Sequence, residues 1–511
     1  MRGNTEFRRA HSPTLCGLES GHDTKKELDG IGFPAACGRE LQISLPEEFL
    51  GRMKSVLGNG YSDFTNCFLK EAPVSVRINP AKWTGLLISG SVPWCKTGIY
   101  LEKRPLFTAD PWFQGGAYYV QEPSSMFLEQ AFLAANLPEN ALVLDLCGAP
   151  GGKATHLLSL MRPGDMLVTN EVIRSRASIL LENIQKWGYP DVIVTQNDPK
   201  DFGELGPVFD LVVVDAPCSG EGLFRKDQTA IKEWSAGNAA LCASRQRRIL
   251  AEAWKCLKPG GVLIYSTCTF NPAENEENIR WLHEQNKAVP LEIEINPEWN
   301  IWFNRSEYGN SYHFYPHLIR GEGFFLSITR KQGSPAQKPS LLKSRMRSFM
   351  QLPGTASDLL QNWISPDCSG SFLVNDGQQY FFPSERLKVL AFLDMNLNIL
   401  LAGTPVATGL FPRFNPHPAL AMSVILNRKA FPEIEVDLSD AIRYMRKESL
   451  PLAGRDIGWT KVSYRRVGLG WLKNLGTRTN NYFPKERRIR MELDSVPPLW
   501  HESGNKSDEQ G

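Results

Sequence analysis

The chain has 511 residues, which at about 150 per domain suggests roughly three domains. Its hydrophobic share of 42% and charged share of 22% are ordinary for a globular protein and exclude a mostly disordered chain or a coiled coil. With 57 basic against 55 acidic residues the net charge is near zero, so any nucleic-acid surface has to be a local patch, and no apolar run reaches the roughly 18 residues of a membrane span.

Residues 1–44 lack an apolar signal core, and the six basic residues of 1–45 are matched by six acidic ones, which reads as a disordered extension rather than a targeting peptide. A helical pattern runs over 46–57, followed by a β-like run at 74–79. From 141 to 331 strand and helix patterns alternate. Apolar strands are expected at 141–146, 166–169, 192–195, 211–214 and 262–266, with helices at 154–161 and 176–187 among them. Continuous apolar strands separated by helices predict a parallel sheet covered on both faces, an α/β core.

A Gln/Gly/Ser/Pro stretch at 332–340 reads as a linker. Shorter strand-like runs follow, with one helical signal at 441–446. Between Lys461 and Arg490 stand nine Lys or Arg and one acid, Glu486, interleaved with Trp459, Tyr464, Trp471, Tyr482 and Phe483 nearby. A solvated basic face accounts for the charge, and so does a surface for phosphate contacts and base stacking.

The sequence Asp145-Leu-Cys-Gly-Ala-Pro-Gly-Gly-Lys153 follows the first core strand and opens a helix, where a glycine-rich turn brings backbone close to a ligand. A phosphate-binding P-loop needs Gly at 147 and Ser or Thr at 154, but Cys147 and Ala154 stand there. The dinucleotide pattern also fails on glycine spacing. An adenosyl ligand without a pyrophosphate remains, held by Cys147, Gly148, Ala149, Pro150, Gly151, Gly152 and Lys153. Glu171, at the end of the second strand, suits ribose hydroxyls, and Asn197-Asp198 ends the third strand where adenine would lie.

Asp215-Ala-Pro-Cys218 ends the fourth strand and Ser266-Thr-Cys268 the fifth, so two thiols reach one rim beside the cofactor turn. A thiolate adding to C6 of cytosine breaks the aromatic ring and lets C5 take a methyl group from a sulfonium. Asp215 suits hydrogen bonding at N3, Lys153 favours a thiolate electrostatically, and a second thiol could assist release. The residues alone do not say which thiol attacks. The ten cysteines form no CxxC pair or Cys/His cluster, so no metal site is expected, and reduced thiols fit a cytoplasmic protein.

These motifs resemble the Nol/Nop/Sun family of RNA cytosine-C5 methyltransferases. Tyr119-Val-Gln-Glu-Pro-Ser-Ser125, the 147–153 turn, Asp215-Ala-Pro-Cys-Ser219 and Leu257-Lys-Pro-Gly-Gly-Val262 with Ser266-Thr-Cys268 match it in order over roughly 45–331. The loop Gly220-Glu-Gly-Leu-Phe-Arg-Lys-Asp227, Glu171 and Gly321-Glu-Gly-Phe-Phe325 are similar to its RsmF (YebU) branch, which acts on bacterial small-subunit ribosomal RNA. Weaker echoes of that branch's PUA-like extension are Arg413-Phe-Asn-Pro-His417, Ala441-Ile-Arg-Tyr444 and Gly468-Leu-Gly-Trp471. Gly148 stands where the family commonly has Ala.

The resemblance implies a Rossmann-like S-adenosylmethionine-dependent core, Cys268 as nucleophile and Cys218 as release thiol. It also implies a monomer acting on ribosomal RNA or the assembled small subunit, with the target base flipped out. The expected organisation is an RNA-binding segment at 45–110, the methyltransferase domain at 111–331, a small domain at 341–400, a PUA-like α+β domain at 401–492 and a tail at 493–511. Expected RNA contacts are Arg77, Arg225, Lys226, Arg465, Arg466 and Lys485. Transfer RNA is the nearest alternative substrate. A ribosome-assembly factor with little turnover is the alternative of another class, opposed by the intact set Cys268, Cys218, Asp215 and Lys153.

Overall fold

The computed structural model describes residues 44–85, 90–333, 345–450, 456–491 and 499–501. The expected N-terminal extension and nearly all of the expected linker lie outside them. Among the described residues no helix is long and apolar enough to cross a membrane.

Two helices open the described chain, Glu47–Leu57 and Tyr61–Cys67. Their aromatic faces, Phe49, Phe64 and Phe68, bury against Phe224, Phe270 and Tyr315, three residues from loops around the thiols. Strands β1 (Val74–Ile78), β2 (Gly98–Leu101) and β3 (Tyr118–Val120) then form a small antiparallel sheet.

The five apolar runs become parallel strands, β4 (Leu142–Asp145), β5 (Met166–Asn170), β6 (Val192–Thr195), β7 (Phe209–Asp215) and β8 (Leu257–Thr267). They are nearly all buried because helices cover both faces. The sheet does not stop there. β9 (Ala288–Pro290), β10 (Trp302–Ser306), β11 (Gly309–Phe314) and β12 (Phe324–Lys331) add antiparallel strands beyond β8. The order is β10-β11-β12-β8-β7-β4-β5-β6, and the far edge is closed by a strand from the C-terminal half. The sheet is therefore mixed, because β12 runs antiparallel to β8 and β10, β11 and β12 follow one another as reversals with no crossover helix between them.

The chain leaves β4 toward β5 and β6 in one direction and returns to β7 and β8 on the other side. That makes the gap between β4 and β7 the topological switch point, where ligands bind outside strand ends. Asp145 and Asp215 end those two strands.

The C-terminal half contains β13 (Met350–Gln351), β14 (Ser371–Asn375), β15 (Gln378–Phe382), β16 (Ile399–Ala402), β17 (Thr404–Thr408) and β18 (Asn415–Pro416). β16 pairs antiparallel with β6 and closes the large sheet, while β17 and β18 extend the sheet of β13 to β15. Residues 404–416, expected to belong with the last domain, thus pair with 350–382 instead. Their backbone is committed to that ladder.

The last sheet is β19 (Glu433–Glu435), β20 (Gly458–Tyr464), β21 (Val467–Asn474) and β22 (Thr479–Asn481), with helix Leu438–Met445. It shares one apolar core with β1 to β3: Val76, Ile78, Trp112 and Tyr118 pack with Ala441, Tyr444, Val462 and Leu469. Residues 499–501 of the expected tail join this core too. Trp500 stacks on Trp83 with centroids 5.5 Å apart, and His501 stacks on Trp112 at 4.1 Å and bonds Asp110.

Candidate active site

The cofactor turn is built by its neighbours. Gly151 has φ of 114°, open to glycine at little cost, and the helix Gly152–Leu160 starts after it without a side-chain cap, leaving first-turn amides available. The Gly148 amide donates to Asn170 O at 2.7 Å, Arg176 to Ala149 O at 3.0 Å and Asn183 to Pro150 O at 2.8 Å. A Cβ on Gly148 would run into Thr169 Oγ1, so here the space of the family's alanine methyl is filled from β5.

Asp145 is wholly buried at the end of β4, and neither carboxylate oxygen has a hydrogen-bond partner of normal geometry. Burial and the Asp215 carboxylate push its pKa up to about 7, against the pull of Lys153. Glu171 is also buried; one oxygen accepts from Ile173 N at 2.9 Å and the other lies 3.4 Å from Arg176. Two orphaned acceptor oxygens, a second carboxylate with lone pairs to spare and a glycine turn without side chains fit the donors of S-adenosylmethionine. Cys147 lies in the turn with its thiol pushed up by burial and by Asp145, Asp215 and Glu171, which rules it out as a thiolate. Asp198 accepts from Lys200 N at 3.0 Å, capping a short helix, and its other oxygen lies 3.8 Å from Arg248.

The two thiols meet at the adjoining strand ends. Cys218 Sγ and Cys268 Sγ are 3.1 Å apart, and both cysteines are free. The hydrogen bond with Cys268, then burial, raise the Cys218 thiol well above its ordinary value. Beside them Lys153 Nζ lies 2.8 Å from Asp215 Oδ2, and Ser266 Oγ donates to Asp215 Oδ1 at 2.8 Å. Burial pulls the Lys153 ammonium down, but Asp215 more than offsets this and holds it above its ordinary value.

Three family descriptions match in order: the N-terminal domain of 16S rRNA methyltransferase RsmF over 45–123, 16S rRNA methyltransferase RsmB/F over 132–330, and the methyltransferase RsmF PUA domain over 431–489. The chain is 30% identical over 455 residues to the ribosomal RNA small subunit methyltransferase F of Shewanella woodyi, covering 83% of this chain and 92% of that protein. It is 29% identical over 482 residues to the protein of the same name from Shigella boydii, covering 87% and 96%. The chain belongs to the RsmF family.

The solved structure of PH0851 shares 26% identity and a TM-score of 0.50 with this RsmF-family chain, over 56% of this chain and 66% of that one. The family carries an S-adenosylmethionine-dependent methyltransferase core and a PUA domain, as the motifs imply.

Two of the six expected RNA contacts, Arg77 and Arg225, are placed otherwise by this RsmF fold. Arg77 is wholly buried; it donates to Gln121 Oε1 at 2.8 Å, Thr155 Oγ1 at 2.6 Å and Gly152 O at 3.3 Å, and lies 4.5 Å from the Trp187 ring. It braces the cofactor turn, because a strand residue facing the core has no path to a polyanion. Arg225 is buried in a forked pair with Glu322, at 3.0 and 2.9 Å, and donates to Gly321 O. Lys226, Arg465, Arg466 and Lys485 are exposed. In the basic block, Tyr464, Trp471 and Phe483 are core residues rather than stacking platforms, while Tyr482 is exposed and packs on Trp459 at 4.5 Å. Lys461 and Arg487 are buried as well, paired with Glu433 and Glu182.

The sequence reading missed the residues that hold the site. Glu274 and Asn275 grip the thiol loops, and Glu122 accepts from Ser124 N, Ser125 N and Glu322 N. It also missed Cys95, Glu129 and His156, buried together with His156 Nε2 3.7 Å from Cys95 Sγ and 3.4 Å from Glu129 Oε2. Burial pulls His156 down to about 4, so it is a neutral partner in that cluster. Their spacing along the chain carries no signal.

Proposed function

We propose that the protein methylates C5 of a cytosine in small-subunit ribosomal RNA through a covalent bond between Cys268 and C6. The observation that carries this reading is the pair of thiols 3.1 Å apart at the ends of β7 and β8, beside the Lys153–Asp215 ion pair and the cofactor turn. S-adenosylmethionine, when bound, supplies an electrophilic methyl group on sulfur. The chain's residues must then make C5 a nucleophile.

Cys268, as thiolate, forms the Sγ–C6 bond, and the ring electrons move toward C5. The positive Lys153 favours that thiolate, and Asp215 in its acid form donates its proton to N3 as negative charge develops there, taking it back when the ring regains its double bond. After methyl transfer the C5 proton leaves to solvent, its electron pair restores the C5–C6 double bond, and the C6–Sγ bond breaks. Cys218, 3.1 Å from Cys268 and with its thiol form favoured by burial, donates a hydrogen bond that stabilises the departing sulfur. The target base has to leave any helix to reach this rim.

The test is tritium transfer from labelled S-adenosylmethionine to unmodified small subunits, naked small-subunit RNA and transfer RNA in parallel. Label recovered as 5-methylcytosine in ribosomal RNA supports the reading, and label in transfer RNA replaces the substrate. Cys268→Ala should abolish transfer and keep cofactor binding. Cys218→Ala should accumulate a protein–RNA adduct that survives denaturing gels; turnover by Cys268→Ala refutes the nucleophile.

A further inference from the structure

Residues 271–276 follow Cys268 and lead into helix Glu276–Gln285, and the two residues ahead of that helix carry side chains spent in an unusual way. Asn275 occupies the N-cap position, where Asn ordinarily accepts from the amides of the first turn. Its side chain makes no such bond. Instead Oδ1 accepts from Thr267 Oγ1 at 2.6 Å, and Nδ2 donates to Thr269 O at 3.0 Å, so it holds the residues on both sides of Cys268.

Glu274 does the same for the other thiol. It is fully buried, and its carboxylate accepts from Ser219 N at 2.9 Å, Ser219 Oγ at 2.5 Å and Gln246 Nε2 at 2.9 Å. Gln246 Nε2 also donates to Pro217 O at 3.0 Å, so the residues on both sides of Cys218 are held. A contact of 2.9 Å between Ser219 Oγ and Thr269 Oγ1 joins the two loops directly. A buried carboxylate is costly unless its lone pairs are filled, and here the loop carrying Cys218 fills them.

We infer that Glu274 and Asn275 are positioning residues that hold the two thiols at bonding distance, Glu274 gripping Cys218 and Asn275 gripping Cys268. Neither touches the reacting atoms; each acts through the thiol loop it binds. The inference rests on the two-thiol reading above. Its consequence is a split between steps. Loosening Glu274 moves Cys218 and slows release of the adduct, whereas loosening Asn275 moves Cys268 and slows its formation.

The experiment follows formation and decay of the covalent adduct on small-subunit RNA in a single turnover with the full-length enzyme. Glu274→Gln should leave formation nearly unchanged and slow decay about tenfold to a hundredfold, the effect of a lost hydrogen bond to a buried charge. Ser219→Ala, which keeps the Glu274 bond to the Ser219 amide, should do the same more mildly and guards against misfolding. Asn275→Ala should slow formation instead. In a Cys218→Ala background, adding Glu274→Gln should leave decay unchanged, since the residue acts only through the missing thiol. If Glu274→Gln slows decay by the same factor in both backgrounds, or slows formation as much as decay, the inference is wrong and the thiol roles stand. If Cys218→Ala forms no adduct, the two-thiol reading falls and takes this inference with it.

Discussion

Replacing Arg77 by Met separates two accounts of a residue that its motif places against RNA and the fold places inside. The substitution keeps a long apolar stem and removes the guanidinium. Two firm acceptors, Gln121 Oε1 and Thr155 Oγ1, lose their donor, at about 1–3 kcal/mol each for buried groups left unsatisfied. The stacking of the cation on Trp187 adds about 0.5–2 kcal/mol. Against this, burial lowers the pKa of Arg77 from 12.5 to about 10, so removing the charge returns about 3 kcal/mol. The losses total about 2.5–8 kcal/mol and the return is about 3, so the balance centres on a destabilisation of about 2 kcal/mol, read as a shift of the urea midpoint at constant slope. Because Arg77 donates to Gly152 O, affinity for S-adenosylmethionine should also drop, measurable by calorimetry. RNA affinity of the cofactor-saturated enzyme should not change its salt dependence. Unchanged stability and cofactor affinity, with a salt slope shallower by about one, would refute the reasoning and make Arg77 a phosphate contact.

Other outcomes follow from the same geometry. The Asp145 carboxyl holds its proton up to about pH 7 in the fold but only to about 4 when unfolded, so its contribution to stability is present at low pH and lost as pH rises between these values. Cofactor donors need the ionised form, so affinity should fall below pH 7 by up to about tenfold per unit, and Asp145→Asn should flatten that profile in a titration from pH 6 to 8. Arg225→Ala strands the buried Glu322 carboxylate and should cost about 3–5 kcal/mol in urea unfolding, while exposed Lys226→Ala should leave the midpoint in place. Arg465 and Arg466 form the two-residue turn between β20 and β21 with φ of 45° and 68°, where Asn-Gly is preferred. Replacing them with Asn and Gly should stabilise the protein by about 1–2 kcal/mol and, if these side chains meet phosphates, weaken RNA binding and flatten its salt dependence. Stabilisation with unchanged filter binding would assign the pair no part in RNA recognition.

Much of the core could be read without coordinates, for a physical reason. A parallel strand buried on both faces has to be continuously apolar, and a turn that admits a ligand has to be glycine-rich. β4 to β8 and the 147–153 turn therefore announce themselves locally. The strand-end positions of Cys218 and Cys268 were legible in the same way, and the fold brings their sulfurs to 3.1 Å. What local sequence lacks is the direction a side chain takes once the chain closes on itself. Arg77 and Arg225 look like surface cations because nothing near them in sequence shows Thr155 or Glu322, their partners 78 and 97 positions away. Tyr464, Trp471 and Phe483 look like a stacking surface until β20 and β21 turn them inward.

By itself the sequence determined the α/β alternation, the glycine-rich turn with its acidic strand ends, and the placing of two thiols at neighbouring strand ends, all of which depend on residue type and near neighbours. Only the tertiary structure decided that the thiols stand 3.1 Å apart, that Asp145 is buried with neither oxygen in a hydrogen bond of normal geometry, and that β16 closes the large sheet. It also decided that Glu274 and Asn275 grip the two loops. Each of those depends on which distant segments are brought together, and that is fixed by packing and by the need to satisfy buried polar groups, neither of which is written in any short stretch of chain.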